Sequence, residues 1–569
     1  MSALLLHPTL VLTLGALLAL LLPQGRWRKG LLVGLPLVVL ALLELALERG
    51  GGPTLRLLGH DLQPLRLDAL SAAFARVFLL VLSLGNLFAW TQEDPREQVA
   101  ATAYGGAAVG AVLAGDLLSL FVCWELTAVT SAVLVFAPGA QRNRAAGMRY
   151  LGFQVVSGLL VLAGALLRLH DGHGLAFDAL GLDAAWGWLL LLGFGIKCAF
   201  PGLHTWLVDA YPEGSPSGTV FLSVFTSKMA VYALARGFEA EPVLVPIGVV
   251  MAAFPIFFAE IEDDMRRVLS YSLVNQVGFM VVGIGIGGPL AFAGAVSNAV
   301  AHVLFKGLLF MSMGAVLFRT GKRGASELGG LHRTMPFTTV CCLVGAASIS
   351  AFPLFSAFCT KSLIMEGAAV GGWQVTWLVL LFAAAGVLHH AGIKIPFFAF
   401  FAHDSGLRPA EAPWSMRLAM GGAAALCVLF GCFPALLYGF AAVETDYQPY
   451  TTSHVVTQLQ LLVCSALALA LLMRLGRYPP EVAGVNLDVD APFRWLGRGA
   501  WALLTGPVAR AARLVEDLLL VGIPAAVAGA ITRRGRLGAE LAARWAYGGS
   551  VLAIVVLLLV LLLLDLGRA

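Results

Sequence analysis

The 569-residue chain is 59% hydrophobic and 12% charged, with a mean hydropathy of +0.86, where soluble domains carry about 25% charged residues. It reads as a polytopic membrane protein, and a formal charge of only +4 with no lysine-arginine run or basic-aromatic interleaving argues against nucleic-acid binding. All eight cysteines, Cys123, Cys198, Cys341, Cys342, Cys359, Cys427, Cys432 and Cys464, lie in or beside apolar stretches without a C-x-x-C pair, so they read as buried thiols and imply neither a disulfide frame nor a metal site.

Windows of about 20 apolar residues predict an all-α architecture of about sixteen transmembrane helices, near 3–23, 30–48, 69–90, 98–114, 117–136, 150–168, 186–209, 217–235, 242–259, 268–286, 291–318, 336–366, 374–402, 416–440, 456–473 and 549–566. The first window is too long for a usual signal h-region and lacks a basic n-region, so it reads as a retained span. Alternate connections carry Arg26, Arg28 and Lys29, then Arg142, Arg144 and Arg149, then Arg319, Lys322, Arg323 and Arg333. The positive-inside rule makes that face cytoplasmic and puts both termini outside. Opposite connections are neutral or acidic, with Asp171, Asp178 and Asp183 in one and Glu444 and Asp446 in another.

Two windows longer than a bilayer needs, 186–209 and 336–366, each contain the tripeptide Ala-Phe-Pro, ending at Pro201 and at Pro353. Proline removes a helical hydrogen bond, so both helices should be broken there. Helices broken at matching places point to an internally repeated transporter. With five helices per unit, the break falls in the fourth helix of each, and the odd number inverts the second copy. The expected segments are 1–96 (three helices), 97–237 and 238–403 (the inverted repeats), 404–474 (further core helices), 475–548 and 549–569 (a terminal anchor). Segment 475–548 scatters Arg510, Arg513, Glu516, Asp517, Arg533, Arg534, Arg536 and Arg544 among short apolar runs broken by Pro507 and Pro524, the pattern of amphipathic helices lying laterally on the cytoplasmic face.

Only seven lysines occur, and five of them, Lys197, Lys228, Lys306, Lys361 and Lys394, interrupt apolar runs. A membrane-centre lysine costs about 2.5 to 3.5 kcal/mol on insertion scales, which argues for a use. Arginine keeps its proton in a protein interior, whereas a desolvated lysine can exchange one near neutrality. Proton movement is the use this predicts. Glu125, in mid-span, needs a cation or a proton, and Lys197 is the candidate partner; the bland alternative is a static ion pair. His302 and Lys306, four apart, share a helical face suited to a relay, though His302 also fits as a satisfied core histidine. His204, after the first break, is a relay or backbone-capping candidate. Lys361 follows the second break by eight residues and could end the path, while Lys394, beside His389 and His390, is a further proton-transfer candidate that also lies close enough to its helix end to snorkel. No third ligand accompanies the two histidines at helical spacing, so zinc is not expected. Gly283, Gly285 and Gly288 match a dinucleotide fingerprint formally but end an apolar helix, so no cofactor is expected. Arg76, alone near the start of its span, reads as structural.

The strings GDLLSLFVCWEL, FPGLHTWLVDAYPEGSPSGTVFLSVFTSK, DDMRRVLSYSLVNQVGF, AHVLFKGLLF and AFPLFSAFCTK resemble, in order and spacing, the antiporter-like subunits shared by respiratory complex I and Mrp-type cation/proton antiporters. The resemblance covers about residues 100–370 and is strongest to D-type Mrp subunits. It implies two inverted five-helix repeats, each a half-channel, joined by a central polar axis. By motif position it implies that Glu125 and Lys197 form the glutamate-lysine pair, Lys228 and Lys306 the middle of the axis and Lys361 its terminal lysine. It further implies a multi-pass subunit of a prokaryotic inner membrane, with other membrane subunits as partners and with protons and sodium as the transported ions. The sequence departs from the commoner WLPDAH form at Trp206-Leu207-Val208-Asp209-Ala210-Tyr211. Alternatives are a pumping subunit of a complex I-like dehydrogenase or a membrane-bound hydrogenase, and an energising subunit for inorganic-carbon uptake or a scaffold.

Overall fold

The computed structural model describes residues 7–503 except 50–53, 58, 480 and 485, together with scattered positions beyond 503. In lipid every backbone polar group must be satisfied internally, and the chain does this almost entirely with helices. They are α1 (Pro8–Ala19), α2 (Arg26–Arg49), α3 (Ala69–Phe88), α4 (Pro95–Leu113), α5 (Leu117–Phe136), α6 (Gln141–His170), α7 (Ala185–Cys198), α8 (Thr205–Ala210), α9 (Gly218–Val224) and α10 (Thr226–Gly237). There follow α11 (Leu244–Ile261), α12 (Met265–Ile286), α13 (Gly288–Thr320), α14 (Pro336–Ile349), α15 (Ser356–Val370), α16 (Gln374–Val387), α17 (Trp414–Cys432), α18 (Pro434–Phe440), α19 (Thr452–Arg474) and α20 (Ala491–Leu503). Among the described residues, eleven helical segments are long and apolar enough to cross a membrane unaided. An antiparallel hairpin, β1 (Leu55–Leu57) and β2 (His60–Leu62), was not expected from the apolar windows.

Both long windows are broken at the repeated tripeptide, and its alanine takes a left-handed conformation each time, φ 64° at Ala199 and φ 56° at Ala351. A side chain tolerates that region poorly, so it persists only where surroundings hold it. The freed carbonyls before the two breaks find side-chain donors. Trp206 Nε1 donates to the Ile196 carbonyl at 2.9 Å, and Lys361 Nζ to the Ile349 carbonyl at 2.7 Å. Three further windows expected to be continuous are also interrupted. The 217–235 window divides at Phe225, where the Tyr104 hydroxyl takes the Thr226 N–H at 3.0 Å in place of a helical carbonyl. The 374–402 window leaves α-geometry for π-turns at Leu388–Lys394 and Phe397–Phe401, flanking Pro396, which has no N–H to offer the preceding turn. The 416–440 window is α17 followed by the short α18.

Asp116 caps α5 and Asp264 caps α12, the second helices of the two expected units. Each also forms an isolated antiparallel bridge to the connection before the broken helix, with Ala176 and Gly324 respectively.

Ion pairs sort the connections onto two faces as the charge pattern predicts. On one, Asp209 binds Arg149 at 3.2 Å and Arg267 at 2.8 Å, while Arg323 pairs with Asp264 at 2.9 Å and Glu213 at 3.5 Å. Four connections assigned to the cytoplasmic side thus share one network. On the other face, Asp68 accepts from Arg66 at 2.8 Å and from Arg236 at 2.7 Å, and Arg66 reaches Asp178 at 2.6 Å. Arg76 is structural as read: its guanidinium holds Glu44 of α2 at 2.7 and 2.8 Å.

The expected boundary near residue 475 moves. Residues up to Asn486 belong to the main unit, where Asn486 Nδ2 donates to the Ile261 carbonyl at 3.0 Å, and a second unit begins at Leu487. Within that second unit, α20 is strongly amphipathic, in line with the expected character of the segment. The remainder of the expected lateral segment and the anchor at 549–566 lie outside the described residues.

Asp68 caps α3 through the Ser71 N–H at 2.9 Å while holding its two arginines. Burial opposes its ionisation, but bonds from Arg236 and Ser71 hold its carboxyl below the ordinary value. Its stabilisation is therefore present above about pH 3.9 and is lost as pH falls through the lower folded value. Asp68→Ala should cost about 1 kcal/mol through the cap alone, read as a lower melting temperature in detergent whose gap from wild type closes in acid.

Candidate functional site: a file of buried lysines

All five membrane lysines are buried, with exposures from 0% to 3%. Lys197 ends α7. Its Nζ donates to the Trp124 carbonyl at 2.6 Å and to Thr127 Oγ1 at 2.9 Å, and sits 4.6 Å from the centre of the Trp124 ring. Glu125 is within electrostatic reach of that ammonium but makes no hydrogen bond to it. The sequence-expected pair is thus coupled through space rather than clasped. The carboxylate instead folds against α6 at Gly158, where a Cβ would stand 1.5 Å from Glu125 Oε1.

Lys228 lies in the first turn of α10, yet its Nζ reaches back to the Ser223 carbonyl of α9 at 2.6 Å and to Ser227 Oγ at 3.2 Å. The charge of Lys228 reaches Cys198, the neighbour of Lys197 on α7. On α13, Asn298, His302 and Lys306 repeat every four residues and form one polar stripe in an otherwise apolar, buried helix. Neither ring nitrogen of His302 nor the Lys306 ammonium has a protein hydrogen-bond partner among the described residues. The charges of Lys228, Lys306 and Lys361 all reach the His302 ring. At the far end of the stripe, Thr360 Oγ1 donates to Asn298 Oδ1 at 2.9 Å, beside Lys361 on α15. Lys361 itself sits on the Ile349 carbonyl at the second break, 5.2 Å from the Phe279 ring centre.

These groups form a file from Glu125 through Lys197, Lys228, His302 and Lys306 to Lys361. His204 is buried and packs its ring 4.7 Å from that of Phe254, and its side chain does not cap the first turn of α8. Lys394 does not snorkel: it is 1% exposed, donates to the Glu260 carbonyl at 2.6 Å and pairs with Glu481 at 3.0 Å. His390 is fully buried. Sequence reasoning missed Gly158, Asn298, Thr360, Glu260 and Glu481. Asn298 was findable, standing four residues before His302; nothing local in the sequence joins Glu260 or Glu481 to a membrane lysine. No group of three metal-binding side chains occurs among the described residues.

Residues 114–388 match the family model described as NADH:quinone oxidoreductase/Mrp antiporter, transmembrane. Among curated relatives, NAD(P)H-quinone oxidoreductase chain 4 3 of Picosynechococcus sp. is 31% identical over 349 residues, covering 56% of this chain and 63% of its own. Hydrogenase-4 component B of Escherichia coli is 27% identical over 413 residues, covering 64% and 62%. The chain thus spans less than two thirds of the length of these relatives. Among solved structures, the fold is shared with a chain of an archaeal membrane-bound sulfane sulfur reductase (TM-score 0.71, 24% identity, 97% of this chain and 99% of that one). It is shared also with a chain of the Mrp complex of Dietzia sp. (TM-score 0.66, 22% identity, 79% and 99%).

Two outcomes test the geometry directly. Lys306→Met removes a buried amino group that no protein group hydrogen-bonds among the described residues, so it should stabilise the fold by about 1 to 3 kcal/mol, seen as a raised melting temperature. Gly158→Ala should displace the Glu125 carboxylate at little cost in stability, because the obstructing atom ends a flexible side chain. Faster labelling of Glu125 by a lipid-soluble carbodiimide would register the displacement, and unchanged labelling would contradict it.

Proposed function

We propose that this chain, whose residues 114–388 match the family model described as NADH:quinone oxidoreductase/Mrp antiporter, is the proton-translocating subunit of a multi-subunit monovalent cation (Na+)/proton antiporter of a prokaryotic inner membrane. The observation that carries the reading is the file of buried lysines, three of which, Lys197, Lys228 and Lys361, hydrogen-bond to backbone carbonyls. A lysine so held can give up its proton and keep a hydrogen bond, since the neutral amine still donates. In this mechanism Glu125 governs loading: its proximity favours the Lys197 ammonium, and its withdrawal favours release toward Lys228. His302 shuttles between Lys228, Lys306 and Lys361, since an imidazole can take a proton at one nitrogen and give one from the other. The recurrence of the break and of the Asp116 and Asp264 devices supports two inverted repeats, 97–237 and 238–403, as two half-channels meeting on α13. Sodium passage is assigned to partner subunits, because the file itself offers a single carboxylate, Glu125.

A redox-driven complex is the second reading. It is favoured by the likeness to a sulfane sulfur reductase chain extending over 97% of this chain, against 79% for the Mrp chain. In that case the same proton file is driven by electron transfer on other chains.

Everted vesicles carrying the native complex separate the two. Sodium addition should move protons if the complex is an antiporter, and an electron donor should do so if it is redox-driven. In either case Lys197→Ala and Lys361→Ala complexes that assemble normally should lose proton movement by about 100-fold or more; native rates in both would refute the file as the proton path.

A further inference from the structure

Lys394 differs from the other membrane lysines in having acidic groups around it. Its Nζ lies 3.0 Å from Glu481 Oε1 and 2.6 Å from the Glu260 carbonyl oxygen. The Tyr478 hydroxyl is placed to donate to Glu260 Oε2 at 3.1 Å or to Glu481 Oε1 at 3.3 Å, so one proton donor serves two carboxyl groups. His389 Nδ1 stands 3.8 Å from the remaining oxygen of Glu260. Burial raises the Glu481 carboxyl above its ordinary value, with Lys394 opposing. A carboxyl group so placed takes up protons more readily than one in free solution.

Both sides of this cluster lead somewhere. Toward water, Glu481, Tyr478, Ser326 and His403 line a cleft of about 350 Å³, ample for several waters. Toward the protein, His390 precedes Lys394 by four residues in the same π-turn and is fully buried. Neither of its ring nitrogens makes a hydrogen bond of good geometry, although the Gly386 carbonyl lies nearby. The charges of Lys394 and of Lys306 both reach that ring. Of the titratable groups here only Glu260 and Lys306 fall within the stretch that matches the family model.

Resting on the proton-file reading above, we propose that Glu481, Glu260 and Tyr478 form a proton-loading port on the cytoplasmic face, feeding Lys306 through Lys394 and His390. Glu481 takes a proton from water in the cleft. The Lys394 ammonium gives its proton to a neutral His390 nitrogen, leaving an amine and an imidazolium. The Glu481 carboxylic acid then returns a proton to the Lys394 amine and is again a carboxylate. The imidazolium passes its proton to the Lys306 amine, so one proton has moved from cleft to file and every carrier but Lys306 is restored.

The test uses the whole complex in sealed everted vesicles, with Glu481→Ala, Glu481→Gln and Lys306→Met. Both Glu481 variants should translocate protons about 100-fold more slowly than wild type. Millimolar formate, a small free carboxylate able to enter the cleft, should restore the rate of Glu481→Ala but not of Glu481→Gln, whose side chain fills the space. Slow Glu481→Ala complexes that formate leaves slow would mean that Glu481 only ties the chain together, and the port would be wrong. A native rate in either Glu481 variant while Lys306→Met is silent would overturn the port and leave the file standing. A native rate in Lys306→Met would overturn the file, and the port with it.

Discussion

A lysine ammonium resting on the carbonyls at a helix end is the interaction on which the interior of this protein depends. Lys228 takes the Ser223 carbonyl at the end of α9, Lys361 that of Ile349 at the end of α14, and Lys394 that of Glu260 at the end of α11. Interrupting a helix leaves carbonyls without intrahelical donors and gathers the negative end of the backbone dipole at one point. A hydrogen bond from a charged donor contributes about 1.5 to 3 kcal/mol, similar to the roughly 2.5 to 3.5 kcal/mol cost of placing a lysine at the membrane centre. The breaks and the lysines are therefore one device. At these three helix ends the terminal carbonyl offers the acceptor that makes a cation tolerable, and the cation satisfies a carbonyl that would otherwise be orphaned, whereas Lys197 takes the Trp124 carbonyl within α5.

This arrangement differs in kind from the ion pair of Arg76 with Glu44, where two hydrogen bonds at 2.7 and 2.8 Å tie α3 to α2. A guanidinium keeps its proton, and its carboxylate partner keeps it charged, so such a pair fastens helices and does nothing else. A carbonyl partner is neutral and accepts equally from an amine or an ammonium. Geometry can then survive a change of protonation state, which a relay requires and a tight salt bridge resists. The separation of Glu125 from Lys197 follows the same logic: with the carboxylate lodged over Gly158, its field reaches the ammonium without clamping it.

The positions of the buried charges, the two proline breaks and the sidedness of the connections were legible in the sequence, because each rests on a large local cost. A lysine in an apolar run, a proline in a long span and an arginine in a loop are conspicuous against a hydrophobic background. Partners were less legible. The break at Phe225 depends on a hydroxyl from Tyr104, which is 122 residues away, and the burial of Lys394 depends on Glu481 from beyond α19. Snorkelling was the alternative open for Lys394 from its distance to the helix end, and it failed because returning chain covers that end. Gly158 was invisible for a different reason: a glycine in a membrane helix is common, and only the side chain lying over it gives it meaning.

The broken helices also bear on how the protein is made. Helices α7 and α14 have fourteen residues each, about 21 Å of rise, against a hydrocarbon core about 30 Å thick. Neither can cross the bilayer alone, and each carries at its end carbonyls whose partners come from later in the chain: Trp206 for α7, and Lys361 for α14. Biogenesis must therefore hold each half-helix at the insertion machinery until the segment following it has emerged. The order of synthesis, with each donor following its acceptor by ten to twelve residues, keeps that wait to a few turns of chain.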